Sequence, residues 1–160
     1  MIRKDKEITD RSEIEAIIEK SSVCRLGFGV SSVERLADEE YPYIVPLCFG
    51  YDGDSLYFHS AKEGKKLDMI RKNNRVCFEF DTGYEIKTGE KACDWGMKYK
   101  SVIGFGEASF VEAPESKRRA LDIIMRQYSG IGPFEYSDAK LKITAIIKVD
   151  IRGMTGKCSE

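Results

Sequence analysis

The stretch YFHSAKEGKK, residues 57–66, holds the chain's only histidine, His59, beside Ser60 and three lysines, Lys62, Lys65 and Lys66. It lies where a β-type run gives way to a helix-like one. Ser60 and Glu63 have capping-box spacing, which predicts Ser60 as the N-cap of that helix. The free amides of a helix start, together with the helix dipole, bind anions. Lysines in a first turn oppose the dipole, and a bound phosphate would reverse the sign of that mismatch. Solvated lysines on an exposed turn give the same pattern, so the residues alone leave both readings open. A lone histidine cannot build a multi-histidine metal site, and no cysteine spacing supplies another metal set.

Two further stretches have chemical interest. In YIVPLCFGY, Pro46 cannot donate to a sheet ladder, which predicts an edge strand whose backbone could meet a planar ligand. A core strand with an edge proline explains the same residues. In DWGMKYKSVIGFGEA, the single tryptophan, Trp95, sits in a polar stretch before a strand thinned by Gly104 and Gly106. It could pack at an interface, over a ring, or against its own chain. GxSxG, HExxH, P-loop and GxGxxG motifs are absent.

The elements that must position these residues follow from pattern and length. One domain over residues 1–160 is expected for this chain length. Its 26 basic and 27 acidic residues leave a net charge of −1, without a global pull toward nucleic acid or anionic membrane. Five cysteines without a CxxC pair are expected to stay reduced. The opening MIRKDKEITD lacks an apolar h-region, so the expected compartment is the cytoplasm. Asp10 and Glu13 cap a helix with Ile14, Ile17 and Ile18 on one face. VCRLGFGV, RVCFEFD, SVIGFGEASFVEA and ITAIIKVDIRGMTGK read as strands. The segment 43–60 reads as a hairpin about Asp52-Gly53. PESKRRALDIIMRQYSG is a helix with Pro114 in its first turn, Gly130 as its cap, and Leu121, Ile124, Met125 and Tyr128 on its buried face. Residues 82–100 and 131–140 read as loops. The sum is a mainly β chain of about six strands and three helices. It has no βαβ rhythm, and an antiparallel barrel with packed helices is expected.

Together, RKDKEITD, CRLGF, YIVPLCFGY, LYFHSAKEGKKLDMIRKNNRVCFEFD and YKSVIGFGEASFVE resemble the nitroimidazole-resistance branch of the pyridoxamine 5′-phosphate oxidase-like flavoproteins. The closing ITGK of that branch stands here as MTGK. The resemblance runs from Arg3 to Lys157 and implies a six-stranded split β-barrel, a homodimer, and FMN at its interface. It implies that Ser60, Lys65 and Lys66 hold the FMN phosphate and that His59 and Ala61 lie beside the ribityl chain or flavin edge. Val45, Pro46, Leu47 and Cys48 match the strand bordering the isoalloxazine ring. Trp95, Ser101, Val102 and Ile103 match segments that reach the cofactor, from the partner subunit. The implied activity is reduction of a small organic acceptor such as a 5-nitroimidazole, with His59 as the one histidine available to act. A non-catalytic FMN holder or sensor and a pyridoxamine phosphate oxidase-type activity are the alternatives. The branch often has Asn or Asp where this chain has Cys48. Its first connection is also shorter than SSVERLADEEYP, which is expected here to cover the substrate side of the pocket.

Overall fold

Alternation of apolar side chains at every second position dictates most of the architecture. In the computed structural model, residues 4–29 and 41–159 are described. Residues 31–40 of the long first connection, and with them the expected pocket cover, lie outside the described residues. β1 (Glu7–Ile8) is followed by α1 (Arg11–Lys20), β2 (Cys24–Phe28), β3 (Tyr43–Leu47), β4 (Gly50–Tyr51) and β5 (Ser55–Ala61). Then come α2 (Lys65–Lys72), β6 (Arg75–Lys87), β7 (Gly96–Val111), α3 (Pro114–Ser129), α4 (Asp138–Ile143) and β8 (Thr144–Ser159).

All pairings are antiparallel, in the order β3-β2-β6-β7-β8-β5-β4, with β1 on the far end of β8. The two ends of this path, β3 and β4, are separated in sequence only by Cys48 and Phe49. So short a link rolls the sheet toward a barrel. Inside lie Leu26 and Phe28 of β2, Leu56 and Phe58 of β5, Phe78 and Phe80 of β6, Val102 of β7, and Ile147 and Val149 of β8. The Phe78 ring reaches across β7 because residue 104 is glycine: a Cβ there would stand 2.1 Å from the ring. The mainly β barrel expectation holds. Among the described residues there are eight strands rather than six, since two-residue β1 and β4 escape a pattern that needs several alternations.

Three other expectations are corrected. The 43–60 hairpin keeps its turn, where Asp52 Oδ1 accepts from the amides of Asp54 and Ser55. Only β4 pairs with β5, however; β3 turns away to pair with β2. The expected loop 82–100 is largely sheet. β6 and β7 run on as a paired arm to Lys87 and Gly96, past an irregularity between Thr82 and Glu85, and close over a 3₁₀ turn at Ala92–Asp94. Part of the expected 131–140 loop begins α4, capped by Ser137.

The first helix is as expected: Asp10 accepts from the Glu13 amide at 2.9 Å, and Ile14, Ile17 and Ile18 are buried. Glu13 does not complete a reciprocal box; its carboxylate meets Lys100 on β7 instead. α3 buries Ala120 and Ile124 but also Lys117, whose ammonium donates to the Thr144 carbonyl. Tyr128, expected in the buried face, stays partly exposed. Its hydroxyl accepts from the Phe49 amide and donates to the Ser22 carbonyl, tying the β3–β4 corner to the start of β2.

Candidate functional site

At the β5–α2 junction the structure changes the role of Ser60. The residue is in β5, not at the helix start. α2 is capped instead by Gly64, whose φ of 133° suits only glycine and which supplies no side-chain cap. The Ser60–Glu63 capping box therefore does not form. The alternation of β5 turns Ser60 inward with Phe58 and leaves His59 and Ala61 on the outward, exposed side. Ser60 is only 8% exposed, and its Oγ is a buried side-chain oxygen with no hydrogen-bond partner among the described residues. An unpartnered buried hydroxyl costs on the order of 1–3 kcal/mol, so it calls for an explanation. Lys65 and Lys66 open α2, Lys66 half-buried. The Lys65 ammonium stands 5.0 Å from the Tyr43 ring centroid, which draws the helix start toward β3.

On β3, Val45 and Leu47 pack against the core, whereas Pro46 points outward, with Cys48 exposed just beyond the strand. β3 pairs only with β2, so Pro46 lies on an edge, as its missing N–H requires. On β7, Val102 is a core side chain with no exposure, while Ile103 is outward and 49% exposed. Ser101 is outward but nearly buried. The inward side chains of Val45, Leu47 and Val102 can meet an outer ligand only through their backbone. Trp95 sits at the tip of the β6–β7 arm, its Nε1 donating to the Gly89 carbonyl. Seven residues of extended strand run from Gly96, next to Trp95, to Ile103, about 23 Å at the usual strand rise.

Register brings Pro46 and Ile103 into one outward row. Pro46 is opposite Arg25, Arg25 opposite Glu79, Glu79 opposite Ile103, and Ile103 opposite Thr155. The next row contains Ile44, Gly27, Cys77, Phe105 and Gly153. Ile44 and Phe105 are both 62% exposed. At the centre, Arg25 Nη1 donates to Glu79 Oε2 at 3.1 Å and to Asp81 Oδ2 at 2.8 Å. Burial raises the Glu79 pKa above the ordinary carboxyl range, helped by the Asp81 charge and only partly offset by Arg25. Burial also acts against ionised Asp81, but hydrogen bonds from Tyr84 and Arg25 outweigh it and hold its pKa low. Two carboxyls sharing one guanidinium thus shift in opposite directions, Glu79 up and Asp81 down. Sequence reading missed this cluster. Its signal was the alternation in RVCFEFD, which sets Cys77, Glu79 and Asp81 on the side opposite Val76, Phe78 and Phe80.

The architecture is that of the split-barrel fold found in flavin-binding proteins. A family model described as pyridoxamine 5′-phosphate oxidase matches residues 10–158, and the chain belongs to that family. A candidate 5-nitroimidazole antibiotic resistance protein from Bacteroides thetaiotaomicron is similar at 37% identity and a TM-score of 0.79, over 96% of this chain and 90% of that one. A FAD and haem binding protein from Mycobacterium smegmatis superposes with a TM-score of 0.82 at 17% identity, over 97% of this chain and 74% of that one. A candidate pyridoxamine 5′-phosphate oxidase from Listeria innocua gives a TM-score of 0.58 at 22% identity, over 90% of this chain and 94% of that one. These last two likenesses concern the fold alone. None of the curated proteins matches the chain.

Proposed function

We propose that this chain is an FMN-dependent oxidoreductase, active as a homodimer, that passes electrons to a small organic acceptor such as the nitro group of a 5-nitroimidazole. The observation that carries the cofactor reading is the buried, unpartnered Ser60 Oγ in the strand leading to a helix start with no side-chain cap and with Lys65 and Lys66 in its first turn. A phosphate dianion there supplies the missing acceptor and reverses the unfavourable lysine–dipole arrangement. FMN, when bound, supplies the hydride and electron chemistry. Lys65 and Lys66 hold the phosphate, and Ser60 donates to it. The edge backbone of β3 borders the ring, and outward Ile103 excludes water.

The homodimer reading is supported by the outward β3-β2-β6-β7 face, where Ile44, Ile103 and Phe105 stand open beside the exposed Ile86 and Met97 of the arm. Exposed apolar patches of this kind mark interaction surfaces. In a dimer the arm carries Trp95 away from its own β5–α2 junction and toward the partner. The acceptor class rests on likeness to the Bacteroides protein. No helix among the described residues is long and apolar enough to cross a membrane. The five free cysteines suit the reducing cytoplasm.

The test is the visible spectrum of the purified protein, followed by identification of what denaturation releases. A flavin spectrum with FMN released supports the site, and NAD(P)H-dependent loss of a 5-nitroimidazole then supports the enzyme over a flavin holder. A colourless protein that does not take up added FMN refutes both. Released FAD would overturn the FMN assignment alone.

A further inference from the structure

We propose that Glu79, set by register between Pro46 and Ile103 and held by Arg25, is the proton donor to the electron acceptor. This rests on the flavoprotein reading above, in which Pro46 and Ile103 lie against the cofactor. Glu79 is directly across the ladder from Ile103 and two strands from Pro46, about 5 and 10 Å at ordinary strand spacing. His59, the sequence's only candidate acid, lies on β5 with its side chain on the exposed side, away from this row.

Among the described residues, the charged and titratable groups facing Glu79 are few. Arg25 comes from β2, and Asp81 and Cys77 flank it on β6. Tyr84 hydrogen-bonds to Asp81. The opposing β7 residue, Ile103, has no charge. Hydrogen bonds from Tyr84 and Arg25 favour the charged form of Asp81, whereas burial favours the neutral form of Glu79, so of the two carboxyls Glu79 is the better placed to carry a proton. Its side chain keeps 27% exposure, enough for solvent to return the proton after each turnover.

Conversion of a nitro group to nitroso consumes two electrons and two protons and releases water. With FMN bound, the electron pair would come from the flavin, reduced beforehand by a nicotinamide nucleotide. As the pair arrives, charge builds on a nitro oxygen. The Glu79 O–H bond breaks, an O–H bond forms on that oxygen, and the carboxylate left behind is stabilised by Arg25. The second proton would be the one that the reduced flavin gives up as it is oxidised.

Two measurements on the full-length protein test this. The first follows the side-chain carboxyl carbons in ¹³C-glutamate-labelled protein by NMR across pH, assigning Glu79 by its absence in Glu79→Gln. The second follows single-turnover reoxidation of the photoreduced FMN-loaded protein by 2-methyl-5-nitroimidazole, for wild type, Glu79→Gln and Glu79→Asp. Expected are a Glu79 titration above the ordinary carboxyl range and reoxidation slowed about 100-fold in Glu79→Gln, the low end for losing a general acid. The limb of the pH–rate profile set by Glu79 should vanish with it. FMN affinity and circular dichroism should not change, and Glu79→Asp should recover part of the rate. An ordinary Glu79 titration, or a Glu79→Gln rate and pH profile equal to wild type with FMN bound, overturns the proposal and leaves the flavoprotein reading standing. A protein that binds no FMN overturns both.

Discussion

The outer surface of the sheet is treated in two ways. Over β4, β5 and the start of β8 it is covered. α3 packs there so closely that a Cβ on Gly50 would stand 2.5 Å from the Ile124 amide nitrogen. Ile146, opposite outward His59, is buried together with Ala120, Ile124 and Leu141, outside the main core cluster. Over β3, β2, β6 and β7 no element among the described residues covers the same kind of surface, although Ile44, Ile103 and Phe105 are as apolar as the side chains α3 covers. Burial of such side chains is worth roughly 1.5–3 kcal/mol each. The difference teaches that the described residues meet this need on one side only. The side they leave open holds both Pro46 and Ile103 and the Arg25–Glu79–Asp81 cluster, and it is where we place the second protomer and the cofactor.

The sharpest way to break this contrast is to disturb each side in turn. Gly50→Val drives a branched side chain into the α3 backbone. It should cost about 3 kcal/mol, since overpacking against backbone has no easy relief, and lower the midpoint of thermal unfolding by roughly 6–12 °C. An unchanged melting curve would mean that α3 is not the fixed cover described. On the bare side, Ile103→Asp with Phe105→Asp should leave the far-UV spectrum and the monomer's stability within about 0.5 kcal/mol of wild type. Self-association, read by light scattering across a dilution series, should weaken about 100-fold, as expected for loss of central apolar anchors. Loss of folding in the double variant would show that the face belongs to the monomer's own core. An unchanged dimer would move the interface elsewhere.

The β5–α2 junction sharpens the contrast from its polar end. Lys66→Ala should weaken FMN binding roughly 10–100-fold, the scale of one charge-assisted hydrogen bond. Ser60→Ala should weaken it less. Without FMN, Ser60→Ala should instead stabilise the fold by about 1 kcal/mol, because it removes a buried hydroxyl that has no partner. Urea titrations with and without FMN separate the two effects. If Ser60→Ala destabilises the FMN-free protein, the hydroxyl has a structural partner and its case as a ligand-binding group falls.

Sequence alone made the barrel legible because long strands such as β7 and β8 repeat their alternation many times, and α1 and α3 announce themselves by caps and periodic apolar residues. It failed where the deciding contact lies far away in sequence. YIVPLCFGY looked like one hairpin arm, but Phe49 and Gly50 turn a corner that Tyr128, 79 residues from Phe49, ties in place. The polar arm 82–100 looked like loop because its ladder has almost no buried side chains to write a pattern. Ser60 and Glu63 had the right spacing for a cap, yet β5 keeps its pairing with β8 through Ala61 and delays the helix to Lys65. The residue types at the junction were readable and the role of Ser60 was not. Arg25, Glu79 and Asp81 meet only through the β2–β6 register, which no local pattern encodes.

The smallest expected effect tests whether the bare face's carboxyls are divided as described. A carboxyl whose folded pKa is raised contributes stability below its unfolded pKa and loses it as pH rises through the folded value. Glu79 is in this class, mainly through burial. Asp81 is the reverse: its stabilisation is present above the unfolded pKa and is lost as pH falls through the lowered folded value. Measured against Glu79→Gln, wild type should therefore lose relative stability as pH rises above about 4, the ordinary carboxyl pKa. Measured against Asp81→Asn, it should gain as pH rises toward about 4, on the acid side of that value. Both groups stay partly open to solvent, so each difference should stay below about 1 kcal/mol. Urea midpoints at four or five pH values would resolve the signs. Two slopes of the same sign would show that Glu79 and Asp81 behave alike, and the proton would then have no preferred holder on this face.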